Sequence, residues 1–113
     1  MFYIRKINSK DSNICYELDL KSIKFWNKYQ WENELKKEFI TATGIYKNNI
    51  VLAVCVVHKL FDEAEIRYLS VDPSYKRKGL GKKLIYNIFK ECKKNNIKRI
   101  ILDVSLNNKQ ALS

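Results

Sequence analysis

Proline and histidine each occur once in the 113 residues, and glycine and cysteine three times each. So little glycine and proline excludes collagen-like and linker-rich chains, and no internal repeat or low-complexity tract is present. Cys15, Cys55 and Cys92 lie far apart and are odd in number, so they make neither a disulfide framework nor a metal-type pair. Cys15 and Cys92 occupy apolar helical positions and Cys55 an apolar strand, which is the pattern of buried free thiols. His58 has no cysteine or carboxylate set at ligand spacing around it, which argues against a metal centre. No apolar run approaches the roughly 20 residues of a membrane span. The start, Met1-Phe2-Tyr3-Ile4-Arg5-Lys6, has no apolar signal core. These absences point to a cytoplasmic chain without a membrane partner.

Acid is also scarce. Twelve Asp and Glu face 22 Lys and Arg, for a net charge of +10. That charge suits an RNA or ribosomal partner, or an anionic cofactor. Most of the cations are lysines mixed with many asparagines and isoleucines, as an AT-rich genome produces, so the global charge weighs little. A local cluster at residues 76–83 weighs more. Hydrophobic residues make up 46% of the chain, enough for a globular core, and the length fits one domain over residues 1–113.

What is present concentrates in residues 64–92, AEIRYLSVDPSYKRKGLGKKLIYNIFKEC. An apolar run ends at Val71, Asp72-Pro73 makes a turn, and cations then surround Gly79 and Gly81. A helix over residues 82–94 follows, with Leu84, Ile85, Ile88, Phe89 and Cys92 on one face. The first turn of a helix leaves N–H groups without partners and carries partial positive charge. Glycine removes the Cβ that would hold an anion off those amides. The order strand, turn, Gly-rich basic loop, helix therefore makes a pyrophosphate cradle. It is neither a Walker A loop nor a G-x-G-x-x-G fingerprint, because one residue separates the glycines and position 84 is Leu.

The stretch Lys76-Arg77-Lys78-Gly79-Leu80-Gly81 resembles the acetyl-CoA loop of the GNAT superfamily of N-acetyltransferases, Gln/Arg-x-x-Gly-x-Gly/Ala, with Lys at the first position. The wording on either side, residues 69–75 and 102–111, is similar to one branch, the ribosomal-protein-alanine N-acetyltransferases. The resemblance is strong over residues 62–112 and weaker upstream. It implies a mixed α/β (α+β) fold of the acyl-CoA N-acyltransferase type. The sheet would be mostly antiparallel with one splayed parallel strand pair. It implies acetyl-CoA as co-substrate, no metal, a protein N-terminus on a ribosomal protein as acceptor, and no direct nucleic-acid binding.

The rest of the chain fits that plan. Residues 2–7 alternate as a first strand, and Asp11 or Ser12 can cap a helix over residues 13–20 with Ile14, Cys15 and Leu18 inward. Residues 24–35 read as a turn and second helix with Phe25, Trp26, Trp31 and Leu35 as its apolar set. Trp31 reads as packing on the sheet. Trp26 reads equally as packing or as lining the acceptor cleft, where the family places this loop. Residues 39–46 and 50–58 are strands joined by a hairpin turn at residues 47–49, since Asn tolerates positive φ. Residues 51–57 are almost continuously apolar, as in a strand buried on both faces. A fourth strand spans residues 64–71, and a fifth, residues 99–104, runs parallel to it.

The resemblance also assigns roles. Residues 76–82, Lys76, Arg77, Lys78, Gly79, Leu80, Gly81 and Lys82, hold the pyrophosphate. A bulge in the fourth strand frees the amides of Leu69, Ser70 and Val71 for the pantetheine arm and thioester carbonyl. Asp103 stands where the branch has a Glu base, one methylene shorter, with a strand-end hydrogen bond as its alternative role. Asn108 stands at a CoA contact that also suits a helix cap. At pH 7 roughly a tenth of a peptide α-amine is neutral, against under a thousandth of a lysine, so an α-amine needs only a modest base.

Three other readings stay open: a GNAT enzyme for a lysine or small-molecule amine, a non-catalytic CoA-binding module, and a nucleic-acid-binding domain with a steep salt dependence. The branch's proton-donating Tyr, last helix and final two strands find no counterpart before Ser113. That pattern implies an incomplete domain with an open strand edge. Residues 1–113 alone are expected to show reduced stability and weak or absent acetyl transfer. Robust turnover, or a cooperative melt above that of a full-length relative, would contradict this.

Overall fold

Successive side chains on a strand point to opposite faces, so a strand that is apolar throughout must be covered on both sides. Residues 51–57 meet that condition. In a computed structural model, which describes residues 1–102, they are all buried within β3 (Ile50–Leu60). Around β3 the described residues form a five-stranded sheet of order β1-β2-β3-β4-β5, with β1 (Tyr3–Ile7), β2 (Ile40–Lys47), β4 (Glu63–Val71) and β5 (Arg99–Leu102). Every pairing is antiparallel except β4 with β5, which is parallel. The β2–β3 turn places Asn48 at φ 50° and Asn49 at φ 67°, the left-handed pair that a tight hairpin requires.

Helix α3 (Leu80–Lys94) covers one face of the sheet, packing Leu84, Ile88 and Cys92 on Ala53, Cys55, Val57, Ala64, Ile66, Leu69 and Val71. Helices α1 (Ser12–Lys21) and α2 (Lys28–Lys36) cover the other with Cys15, Leu18 and Trp31 on Val54, Val56 and Tyr68. A bulge supplies the one break in alternation on β3. Tyr46 pairs with Val51 and Ile45 with Ala53, so Leu52 is the extra residue, and both Leu52 and Ala53 join the α3 face. Each fully buried aliphatic side chain in these layers contributes about 1.5–3 kcal/mol.

Local chemistry moved several expected boundaries. Asp11 does not cap α1 with its side chain; its carboxylate accepts from Asn8 N at 3.1 Å, while Asn8 Oδ1 accepts from Lys10 N at 2.9 Å. That reciprocal pair closes a short 3-10 turn ahead of the helix. Phe25 and Trp26 precede α2 rather than lying on it. Asn27 and Gln30 make a capping box, with bonds of 2.9 and 2.8 Å, that starts the helix after them. Helix α3 starts at Leu80, two residues before the expected position, so Gly81 sits in its first turn. Phe89, expected inward, is 43% exposed, because the buried stripe runs through residues 84, 88 and 92.

That stripe can be tested by truncation. Leu84→Ala should lower the unfolding free energy by about 2–5 kcal/mol, and Phe89→Ala by well under half of that, measured by urea denaturation. Equal losses would contradict the packing of α3.

Candidate active site

The site is built at the end of β4. Val56 pairs with Tyr68 and Val57 with Ile66, which makes Arg67 the extra residue of a bulge on β4. Arg67 is held from the other layer: its guanidinium donates from Nε and Nη2 to the buried Glu34 of α2, and Lys37 Nζ reaches Glu34 Oε1 at 2.8 Å. Burial pushes the Glu34 carboxyl up, but the hydrogen bonds from Arg67 and Lys37 outweigh it and leave the group below its ordinary value. A bulge bends its strand. Pairing with β5 runs from Glu63–Arg99 to Ile66–Leu102, and no described residue of β5 pairs with β4 beyond the bulge.

Past the bulge β4 stays paired with β3. Leu69, Ser70 and Val71 face Cys55, Val54 and Ala53, and Asp72 N donates to Leu52 O at 2.7 Å. Opposed residues of an antiparallel pair alternate between bonded and non-bonded positions. The Asp72–Leu52 bond therefore turns the Ser70 amide toward β3 as well. The amides of Leu69 and Val71 point the other way, to the edge of β4 that faces away from β3. Of the three amides expected at the site, two face away from β3 and one faces it.

A turn then carries the chain to α3. Asp72, almost fully buried, accepts from Ser74 N at 2.9 Å and from Lys21 Nζ at 3.3 Å, and its carbonyl accepts from Tyr75 N at 2.8 Å. Arg77 follows at φ 64° and Gly79 at φ 79°. Gly79 is the N-cap of α3 and supplies no side chain to the first-turn amides. Its carbonyl accepts from Lys83 N at 3.0 Å, which leaves the N–H groups of Leu80, Gly81 and Lys82 without helical partners. A Cβ built on Gly79 would meet nothing within 4 Å, so the approach to those amides is open. Leu80 and Gly81 are buried against the core, while Arg77, Lys78, Lys82 and Lys83 are exposed around the opening and Lys76 is half-buried beside it. Uncapped amides, helix dipole and these cations together favour an anion such as a diphosphate. The residues present fit a CoA pyrophosphate. Asp103 and Asn108 lie outside the described residues.

On the opposite face the loop between α1 and α2 is drawn onto β4. Trp26 stacks on Tyr68 with centroids 5.4 Å apart, and Phe25 lies 6.0 Å from the same ring. Trp31 is fully buried, as its packing role requires, and Trp26 is half-buried. The loop is anchored by Asp19, which sequence reasoning passed over. Its one signal was a carboxylate beside the inward-facing Leu18. Burial pushes the thiols of Cys15 and Cys55 up to about 12, so neither is a nucleophile near neutral pH.

The chain was compared with known proteins. The acetyltransferase (GNAT) family model matches residues 5–113. Ribosomal protein bS18-alanine N-acetyltransferase of Escherichia coli (strain K12) is 22% identical over 111 residues, 97% of this chain and 74% of that protein. A crystal structure of the ribosomal-protein alanine N-acetyltransferase from Escherichia coli superposes with a TM-score of 0.88 at 24% identity, over 98% of this chain and 72% of that one. The PaiA N-acetyltransferase of Thermoplasma acidophilum, solved with coenzyme A, superposes with a TM-score of 0.79 at 20% identity, over 96% of this chain and 82% of that one.

Two measurements probe the geometry. Gly79→Ala should cost about 1–2 kcal/mol in chemical denaturation through the left-handed backbone alone, since its Cβ meets no neighbour. A Glu whose pKa is depressed in the folded state contributes stability above its unfolded pKa, about 4.3, and that contribution is lost as pH falls through the lower folded value. Glu34→Gln should therefore shrink the difference in Tm between pH 7 and acid; an unchanged difference would contradict the Glu34–Arg67 assignment.

Proposed function

This chain belongs to the GNAT family of acetyltransferases, and we propose that it transfers the acetyl group of acetyl-CoA to the N-terminal alanine of a small-subunit ribosomal protein. One observation carries the acetyl-CoA part. The same strand that turns the Leu69 and Val71 amides away from β3 runs, through one buried turn, into the uncapped N-terminus of α3. A diphosphate at Gly79–Lys82 and a thioester carbonyl at Leu69 and Val71 are the two ends of one coenzyme. The acceptor is drawn from the name of the Escherichia coli relative, and the aromatic loop around Phe25 and Trp26 is the surface that would meet it.

The steps follow from these positions. The cations at residues 76–83 and the α3 amides hold the diphosphate and so fix the thioester along β4. The neutral amine attacks the carbonyl carbon. The oxygen that gains charge is met by the Leu69 and Val71 amides, which need no reorganisation because the sheet already fixes them. Asp103 accepts the proton that the amine gives up, directly or through a water. The C–S bond then breaks and the thiolate leaves, to be protonated. Asn108 serves as a CoA contact. An α-amine suits this machinery, because about a tenth of it is already neutral at pH 7.

Incubation with labelled acetyl-CoA and ribosomal proteins, read by mass spectrometry of their N-termini, tests the proposal. Weak label on an N-terminal alanine is expected of residues 1–113, and Asp103→Asn should slow it by a further factor of about 10² or more. Label on lysines alone would remove the proposed acceptor and leave the acetyl transfer.

A further inference from the structure

Asp19 is completely buried, 49 residues away in sequence from the tyrosine that it binds. Its carboxylate accepts from Phe25 N at 3.0 and 3.1 Å, Trp26 N at 2.9 Å, Trp31 Nε1 at 3.0 Å and Tyr68 Oη at 3.0 Å. All of these donors are neutral. They come from the α1–α2 loop, from α2 and from β4, and they fill the acceptor sites of a carboxylate. Tyr68 Oη donates its single proton to Asp19 Oδ1. Ser70 Oγ, the other partner of Tyr68 Oη, must then donate to it. The result is a one-way chain, Ser70 to Tyr68 to Asp19. Burial and the nearby Asp19 charge raise the Tyr68 phenol well above its ordinary value, so it keeps its proton.

This chain starts on β4 between the two outward-facing amides. It ends on the backbone of the loop that carries Phe25 and Trp26. We propose that Asp19 and Tyr68 are positioning residues that fix the acceptor loop, residues 22–27, at a set distance from the Leu69 and Val71 amides. The inference rests on the acetyltransferase reading. Both side chains are completely buried. Their effect is to make the loop and the strand move as one body, so that an amine seated on the loop meets a carbonyl seated on the strand. Side-chain chemistry in the core would thereby set the geometry of a reaction outside it.

Two conservative variants separate positioning from mere support. Tyr68→Phe and Trp31→Phe each remove one donor from the same buried carboxylate, but only Tyr68 lies on β4. The readouts are the acetyl-CoA affinity by calorimetry, and the KM and kcat for a peptide that begins with alanine. Hydrogen exchange at Phe25 and Trp26, with and without acetyl-CoA, is read alongside. In the parent, acetyl-CoA on β4 should slow exchange in the loop. Tyr68→Phe should abolish that slowing and raise the KM for the peptide about tenfold or more, with acetyl-CoA affinity unchanged. Trp31→Phe should lower Tm yet keep both the slowing and the parent KM. Equal effects of the two variants, or none from Tyr68→Phe, overturn the inference alone. A parent chain that binds no acetyl-CoA overturns the acetyltransferase reading and this inference with it.

Discussion

A strand inside a sheet gives up its backbone groups on both edges, and among the described residues β4 does so from Glu63 to Ile66. Beyond that residue its β3 edge stays paired and its other edge meets no described strand. The rest of the site depends on this. The amides of Leu69 and Val71 lie on that other edge, turned away from β3. Just before them Arg67 adds itself to β4, bends the strand, and is held in that place by Glu34 from α2.

A second set of donors lies at the start of α3. A helix normally begins behind a Ser, Asp or Asn whose side chain closes its first turn, as Asn27 does for α2. Gly79 begins α3 with nothing to offer, and its left-handed φ lets the chain enter the helix without a Cβ over the opening. The β4 amides that face away from β3 and the first-turn amides of α3 stand at the two ends of one short segment, residues 69–82, which runs through a turn pinned by Asp72 to Lys21 and to β3. Rigid placement of donors is what electrostatic catalysis needs, since no energy is then used to reorient them during reaction.

The two faces of the sheet are unlike in character. Under α3 the contacts are aliphatic and the cysteines inert. Under α1 and α2 the core is built of Trp26, Trp31 and Tyr68 around one buried carboxylate. An aliphatic layer holds a helix in place through area, whereas a polar centre within an aromatic layer fixes direction and register as well. The layer with the polar centre is the one that carries the Phe25–Trp26 loop packed on β4.

Some of this was written in short-range pattern. Seven apolar residues in a row announced a strand covered on both faces, Asn48-Asn49 announced a hairpin, and the order of Val71, Asp72-Pro73, Gly79 and Gly81 announced a strand feeding an anion-binding helix. Those features obey rules that act over a few residues, so a string of letters contains them. The start of α3 was misplaced by two residues because a glycine was read as loop when its backbone was helical. Phe89 was read as inward because a stripe three and four apart has an edge, and only a packed sheet decides which residue falls outside it. The family resemblance implied a bulge in the fourth strand, but its place at Arg67, the turn of two amides out of three away from β3, and the burial of Asp19 among donors from three segments were settled by tertiary structure. Each depends on partners far apart along the chain, Glu34 with Arg67 and Asp19 with Tyr68, and on a local periodicity that those partners override.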